Sequence, residues 1–273
     1  MNNVVVSFPV KNEASNIIQV LNALENQTHK PIKVIIANDG STDNTKELAL
    51  KFDFVDIIDL PKREQSLVGK KEMAEIFNAC IQPVSIIHTN SSVDYLLIIG
   101  GDTILPPTYI EKLVNKFNEN PKLMIASGCI SGDNSIKYSG FMVPGAGRMI
   151  NYTYWLSIGG LFPINEGWEA YPVYKANLDG YKTKVFDDIS FELLRPTGGR
   201  TDYYAYGKAM RALGYSKIFA LGRILKQPFL KGKSIKTSLN MLNGFLFGKT
   251  QLYEKELRKF VKHTQLKRLR LRR

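Results

Sequence analysis

Three short polar segments stand directly behind apolar runs: "PVKNE" (9–13), "NDGSTDNT" (38–45) and "GGDTILPP" (100–107). In the third, Asp102 is a single carboxylate at the end of the run. Carboxylates, amides and glycines make ordinary turns, and the same groups hold charged ligands or hard cations. A second acidic group, Glu166 and Glu169 in "NEGWEAY", precedes a helical pattern. The three histidines (His29, His88 and His263) do not cluster, and Cys80 and Cys129 are far apart without metal spacing. A zinc site is therefore not expected. The sparse cysteines fit a reducing compartment.

The elements that must carry these segments alternate regularly. Apolar runs at 3–8, 33–39, 55–60, 94–102 and 123–130 read as buried strands. Helical patterns fall between them at 15–27, 44–52, 68–81 and 107–120. Ser15 is the expected N-cap of the first helix, and Pro107 opens the fourth. This alternation predicts an α/β fold with a mainly parallel sheet and helices on both faces. Ligands of such sheets bind beyond the carboxyl ends of the strands. All three polar segments are placed there. Residues 138–164 break the pattern: Arg148 is their only charge, and glycines and aromatics are frequent. They read either as core or as a loop with an apolar acceptor pocket. Residues 165–193 then give a helix, a "DGYK" turn and a strand, with Asp187 and Asp188 in structural positions.

"PVKNE", "NDGSTDNT" and "GGDTILPPTYIEKL", set in a parallel α/β half, resemble the family 2 glycosyltransferases of the GT-A (Rossmann-like) fold, which are inverting enzymes. The resemblance spans roughly residues 3–220. It implies a site for a nucleoside diphosphate sugar, UDP-linked in most members. Pro9, Val10 and Glu13 would lie against the nucleoside, and Asp39 would accept from the base. The imide N–H of uracil suits a carboxylate acceptor. "VGKKEMAEIFN" matches the family's third nucleotide element, which makes Lys70 and Lys71 candidate diphosphate partners. The usual Asp-X-Asp is Gly100-Gly101-Asp102 here. Asp102 is thus the carboxylate expected to meet Mg²⁺ or Mn²⁺ on the diphosphate, and the first carboxylate is missing. The family's base is a carboxylate near a helix start, which points first to Glu169 and second to Glu166. The family closes this region over the acceptor side, which makes Arg195 and Arg200 candidate phosphate contacts, with an ordinary surface arginine the favoured reading of either alone.

Charge divides the chain unevenly. Residues 222–273 carry 15 Lys/Arg against 2 Asp/Glu, and residues 1–221 carry 22 against 23. The expected organisation is a GT-A domain over 1–221 and a basic amphipathic segment over 222–273. Leu239, Leu242, Leu246 and Phe247 can share a helical face flanked by cations, as in a helix lying on an anionic membrane surface. Similar tails occur in membrane-associated members of that family, and the resemblance implies an acceptor that is lipid-linked, of polyprenyl type, or otherwise membrane-bound. The location is cytoplasmic, peripheral at the cytoplasmic face of the membrane. No signal peptide or 18-residue apolar stretch is seen. Aromatics are too sparse among the terminal cations to favour nucleic acid. Oligomerisation is an alternative use of the segment. For the whole chain, the alternatives are a catalytically inactive nucleotide-sugar binding protein and a nucleotidyltransferase.

Overall fold

The computed structural model describes residues 2–63, 67, 70–132, 141–195, 202–230, 233–249 and 252–270. Apolar strands and amphipathic helices alternate: β1 (Val4–Val10), α1 (Ile17–Glu25), β2 (Lys33–Asn38), α2 (Thr45–Ala49), β3 (Val55–Asp59), α3 (Met73–Ile81), α4 (Val84–Ser91), β4 (Tyr95–Ile98), β5 (Thr103–Ile104), α5 (Tyr109–Glu119) and β6 (Leu123–Ile130). After these come β7 (Arg148–Asn151), α6 (Tyr152–Ser157), α7 (Tyr171–Leu178) and β8 (Lys182–Leu193). The chain closes with α8 (Tyr203–Ala212), α9 (Lys217–Lys226), a 3-10 turn at Gln227–Phe229, α10 (Ile235–Phe247) and α11 (Lys255–Arg270).

Eight strands form one sheet in the order β3-β2-β1-β4-β7-β6-β8-β5. The pairings β3–β2, β2–β1, β1–β4 and β6–β8 are parallel. β7 lies antiparallel between β4 and β6, and β5 lies antiparallel on β8. The expected α/β fold is thus present, with a mixed second half. β7 and α6 come from the low-charge stretch 138–164. Part of that stretch is core: Met149, Ile150, Tyr152 and Trp155 are buried. The Arg148 guanidinium is buried with them and donates to the carbonyls of Pro144 and Val143. Satisfying its donors with backbone oxygens is what makes its burial tolerable.

One sheet face, with Val4, Val6, Phe8, Val34, Ile36 and Leu97, packs against Leu21 and Leu24 of α1 and Ile110 and Leu113 of α5. On the other face, the Ser7 hydroxyl donates to the Cys80 carbonyl in α3 at 3.2 Å. Burial pushes the Cys80 thiol up to about 12, so it is an inert core group. Ser15 does not cap α1. The Glu13 carbonyl instead accepts from the backbone N–H groups of Asn16 (2.9 Å) and Ile17 (2.8 Å).

The chain divides into two compact units. The first comprises residues 1–66, 75–162 and 179–197; the second comprises 67–74, 163–178 and 198–273. In the second unit, Met210, Ala220, Ile224, Met241 and Phe245 form a core of their own. Asp202 caps α8 by accepting from the N–H groups of Tyr204 and Ala205, and Ser234 with Thr237 forms a capping box on α10. Leu257 and Val261 of α11 are fully buried, and the Gln265 side chain accepts from the Ser216 N–H at 2.8 Å. Among the described residues, no helix is long and apolar enough to cross a membrane.

α8 and α10 meet backbone to backbone. A Cβ on Gly207 would lie 2.1 Å from the Met241 carbonyl oxygen, and one on Gly244 would lie 2.0 Å from that of Tyr204. Neither backbone oxygen can swing away as a side-chain tip would. Gly244→Val is therefore expected to cost at least ~1–3 kcal/mol as overpacking, visible as a lowered thermal midpoint by circular dichroism. Gly222→Ala, with nothing within 4 Å of the added methyl, should leave stability unchanged or raise it by up to about 1 kcal/mol, with a midpoint that does not fall.

Candidate active site

The first unit gathers most of the residues expected to bind nucleotide, because β1, β2 and β4 are adjacent and parallel. Val6 pairs with Val34 on one side and Leu97 on the other, so the loops after all three strands leave the same sheet edge. The polar residues of "NDGSTDNT" then hold the first loop in place. Asn12, at φ +54°, accepts on its side chain from the Thr42 N–H (2.8 Å), and its own N–H donates to Ser41. Asparagine tolerates this left-handed backbone better than most residues. The Glu13 N–H donates to the Thr45 hydroxyl (2.8 Å), and the Ala14 N–H donates to Asp43 (3.1 Å). Burial acts against the Asp43 carboxylate, but these bonds from Thr45 and Ala14 outweigh it and hold its pKa below the usual range.

That leaves Asp39 for other work. Its N–H donates to the Val10 carbonyl, next to Pro9 of β1. The residue is 7% exposed. Its two carboxylate oxygens lie 3.6 Å from Lys11 Nζ and 3.7 Å from Arg63 Nε, close enough for charge attraction. Neither distance makes a hydrogen bond. Among the described residues, the buried Oδ1 has no hydrogen-bond donor at all. A buried carboxylate oxygen without a donor is costly, so a ligand N–H placed there would be strongly favoured. Gly40, at φ +63°, takes the chain past Lys62: a Cβ would sit 2.6 Å from its Cα.

Asp102 and Glu13, 89 positions apart in sequence, hold one guanidinium between them. Arg195 Nε donates to Asp102 Oδ2 at 2.9 Å, and Arg195 Nη2 donates to Glu13 Oε1 at 2.5 Å. Backbone pairing brings the arginine there. β5 lies antiparallel on the end of β8, and the Leu194 N–H donates to the Asp102 carbonyl at 2.9 Å. Burial disfavours the charged guanidinium, but Asp102 and then Glu13 outweigh it and raise its pKa further. Gly101 permits the approach of the strand ends. A Cβ there would meet Val10 and Glu13 carbons at 3.1 Å. Gly100 leaves open a space beside Asp102 Oδ1, which would lie 2.8 Å from an added Cβ.

The second unit gathers Lys70, Lys71, Glu166 and Glu169. Lys70 and Lys71 precede α3, which begins at Met73 rather than at 68. The Lys70 carbonyl accepts from the Trp168 indole N–H at 3.3 Å. Glu166 pairs with Lys208 at 2.9 Å. Burial alone would raise its pKa, but the bond from Lys208 and the charges of Lys208 and Lys71 pull it below the ordinary value. Glu169 is exposed, on the turn two residues before α7. Asp187 and Asp188 sit on β8 by an irregularity in its pairing with β6. Asp188 pairs with Lys116 at 3.3 Å, in keeping with a structural role.

Lys11 and Arg63, the cations around Asp39, were not singled out from sequence. Lys11 lies inside "PVKNE", so its position in that motif was the available signal; Arg63 carried none. Arg195, a candidate phosphate contact or surface arginine by sequence, lies between two carboxylates. Arg200 lies outside the described residues. Among the described residues, no group of three or more His, Cys, Asp or Glu side chains is arranged to hold a metal.

The family profile described as Glycosyl transferase family 2 matches residues 5–70, which span the loops after β1 and β2. Glycosyltransferase GlyA of Streptococcus pneumoniae is 23% identical over 235 residues, covering 84% of this chain and 27% of that protein. Succinoglycan biosynthesis protein ExoA of Rhizobium meliloti is 32% identical over 114 residues, covering 40% of this chain and 31% of that protein. The chain thus spans about a quarter to a third of these curated relatives. In fold, it is similar to S. aureus TarS residues 1–349, with a TM-score of 0.58 at 13% identity over 89% of this chain and 70% of that one. The mannosyltransferase PcManGT from Pyrobaculum calidifontis, solved with GDP-Man and Mn²⁺, gives 0.55 at 14% identity over 98% and 75%. With the strand-end loops described above, these matches support a glycosyltransferase: the chain is similar to the family 2 enzymes over residues 5–70 and to the GT-A structures in fold.

Proposed function

We propose that this protein transfers a sugar, with inversion, from a UDP-sugar to a hydroxyl or phosphate of a lipid-linked or other membrane-bound acceptor. The observation that carries the donor assignment is the buried, donorless Oδ1 of Asp39 at the end of β2. The imide N–H of uracil is a donor that suits this carboxylate oxygen. Solved relatives support a nucleotide-sugar donor: TarS has been determined with UDP and with UDP-GlcNAc.

Metal dependence belongs to the same proposal. Asp102 and Glu13 offer hard carboxylate oxygens beside one guanidinium, a donor set suited to Mg²⁺ or Mn²⁺ when diphosphate and water complete the shell. Asp102 would hold the cation. When bound, the metal supplies charge that stabilises the departing nucleoside diphosphate. Lys70 and Lys71 are the proposed diphosphate cations. Glu169 is the proposed base: it takes the acceptor's proton, the acceptor oxygen bonds to the anomeric carbon, and the bond to the diphosphate breaks. Glu166 is less suited, because the bond from Lys208 occupies one of its oxygens and lowers its basicity.

Asp39→Ala should weaken UDP binding about ten- to a hundredfold by calorimetry, the range for one lost bond to a charged group. Unchanged affinity would remove Asp39 from the site.

Asp102→Ala and Glu169→Gln are each expected to abolish transfer while leaving the circular dichroism spectrum and the thermal midpoint in place. Near-normal turnover by either purified variant would take that residue out of the mechanism.

Glu166→Gln should behave differently. Because the folded-state pKa of Glu166 lies below its unfolded value, its stabilisation is present above about pH 4.5 and is lost as pH falls through the folded value. Thermal midpoints of the variant should therefore decline less steeply below that pH than those of the parent, with transfer retained.

A further inference from the structure

α9 and α10 are apolar on both sides. Their inner sides supply Ala220, Ile224, Met241 and Phe245 to the core of the second unit. Their other sides leave Ile218, Leu221, Leu225, Ile235, Leu239, Leu246 and Phe247 exposed, between 50% and 75%. Phe229, on the 3-10 turn between the helices, is 87% exposed. The spacing 218, 221, 225, 229 is one helical stripe continued into the turn. With Leu230, nine of the nineteen exposed large hydrophobic side chains among the described residues fall within 218–247. Scattered surface apolar residues need no explanation, but a concentration of this kind marks a contact surface.

Charge selects what covers it. Residues 217–249 contain seven Lys/Arg and no Asp or Glu. A second copy docking through the same face would set these cations against their own counterparts, since a two-fold contact uses the same patch twice. An anionic bilayer supplies both missing partners: an apolar phase for the side chains and negative headgroups for the lysines. Leu242, expected on the outer face, is partly buried against the inner core. The most basic helix, α11, turns Leu257 and Val261 inward.

We infer that the α9–α10 face is a membrane-docking surface that inserts Ile218, Phe229, Ile235 and Phe247 among the acyl chains of an anionic bilayer, with Lys226 and Lys236 at the headgroups. This deepens the proposed function by giving the enzyme a way to reach a membrane-bound acceptor, and it rests on that reading only for its purpose.

Flotation of the full chain tests it, with phosphatidylcholine vesicles alone and with phosphatidylglycerol added. The parent should float with the anionic vesicles and stay behind with the neutral ones. Phe229→Ser with Phe247→Ser should lower partitioning about tenfold or more, from the apolar area withdrawn from the bilayer. Lys226→Glu with Lys236→Glu should lower it by about tenfold, and added salt should act the same way. UDP binding by calorimetry should be unchanged in both double variants, so loss of docking and failure of the donor-site reading are told apart. A parent that stays behind with anionic vesicles overturns the inference. So does a Phe229→Ser, Phe247→Ser variant that floats like the parent, or a parent dimer in light scattering that these substitutions dissolve.

Discussion

Two ionised carboxylates at neighbouring strand ends repel unless a cation lies between them, and the first unit places Arg195 there. The parallel pairing of β1 with β4 sets Glu13 and Asp102 at one sheet edge. Gly101 removes the side chain that would hold the strand ends apart. Glu13 is 5% exposed, so its charge depends on a partner within the protein. Arg195 supplies it, delivered by the antiparallel pairing of β5 with β8. A hard cation brought by a diphosphate would enter the same field and share the role of neutralising it.

The second strand end works by the opposite principle. Around Asp39 the loop residues Asn12, Ser41, Thr42, Asp43 and Thr45 hydrogen-bond within the two loops. Among the described residues, Asp39 keeps a buried oxygen without a donor, flanked by two cations too distant to bond it. A site that is pre-formed except for one acceptor loses little entropy on binding and gains a charge-assisted bond. The second unit uses close packing for a different end. Gly207 and Gly244 let α8 and α10 approach at backbone distance. One side of α10 is consumed in that contact, and Leu239, Leu246 and Phe247 are left facing outward.

The strand-helix order of the first half was legible because buried strands and amphipathic helices carry different periods. So was the shared edge of the three polar loops, since parallel neighbours end on the same side of a sheet. Other features were not. The second-half strand β7 comes from a stretch whose low charge fits core and pocket equally, and only its pairing between β4 and β6 decided between them. Ser15 looked like a helix cap until the Glu13 carbonyl was seen to accept the first helical N–H groups.

By itself, the sequence determined which residue types stand at the strand ends, that the first carboxylate of the usual pair is glycine, and that cations concentrate after residue 222. Those are local properties, written in composition and spacing. Only the tertiary structure decided that Arg195 meets Glu13 and Asp102, that Asp39 is the carboxylate left without a donor, and that Glu166 is bound by Lys208. It also decided that the outward apolar face begins at Ile218 and excludes Leu242. Each of these depends on partners brought together by long-range pairing or packing, and no local pattern records which distant side chain will arrive.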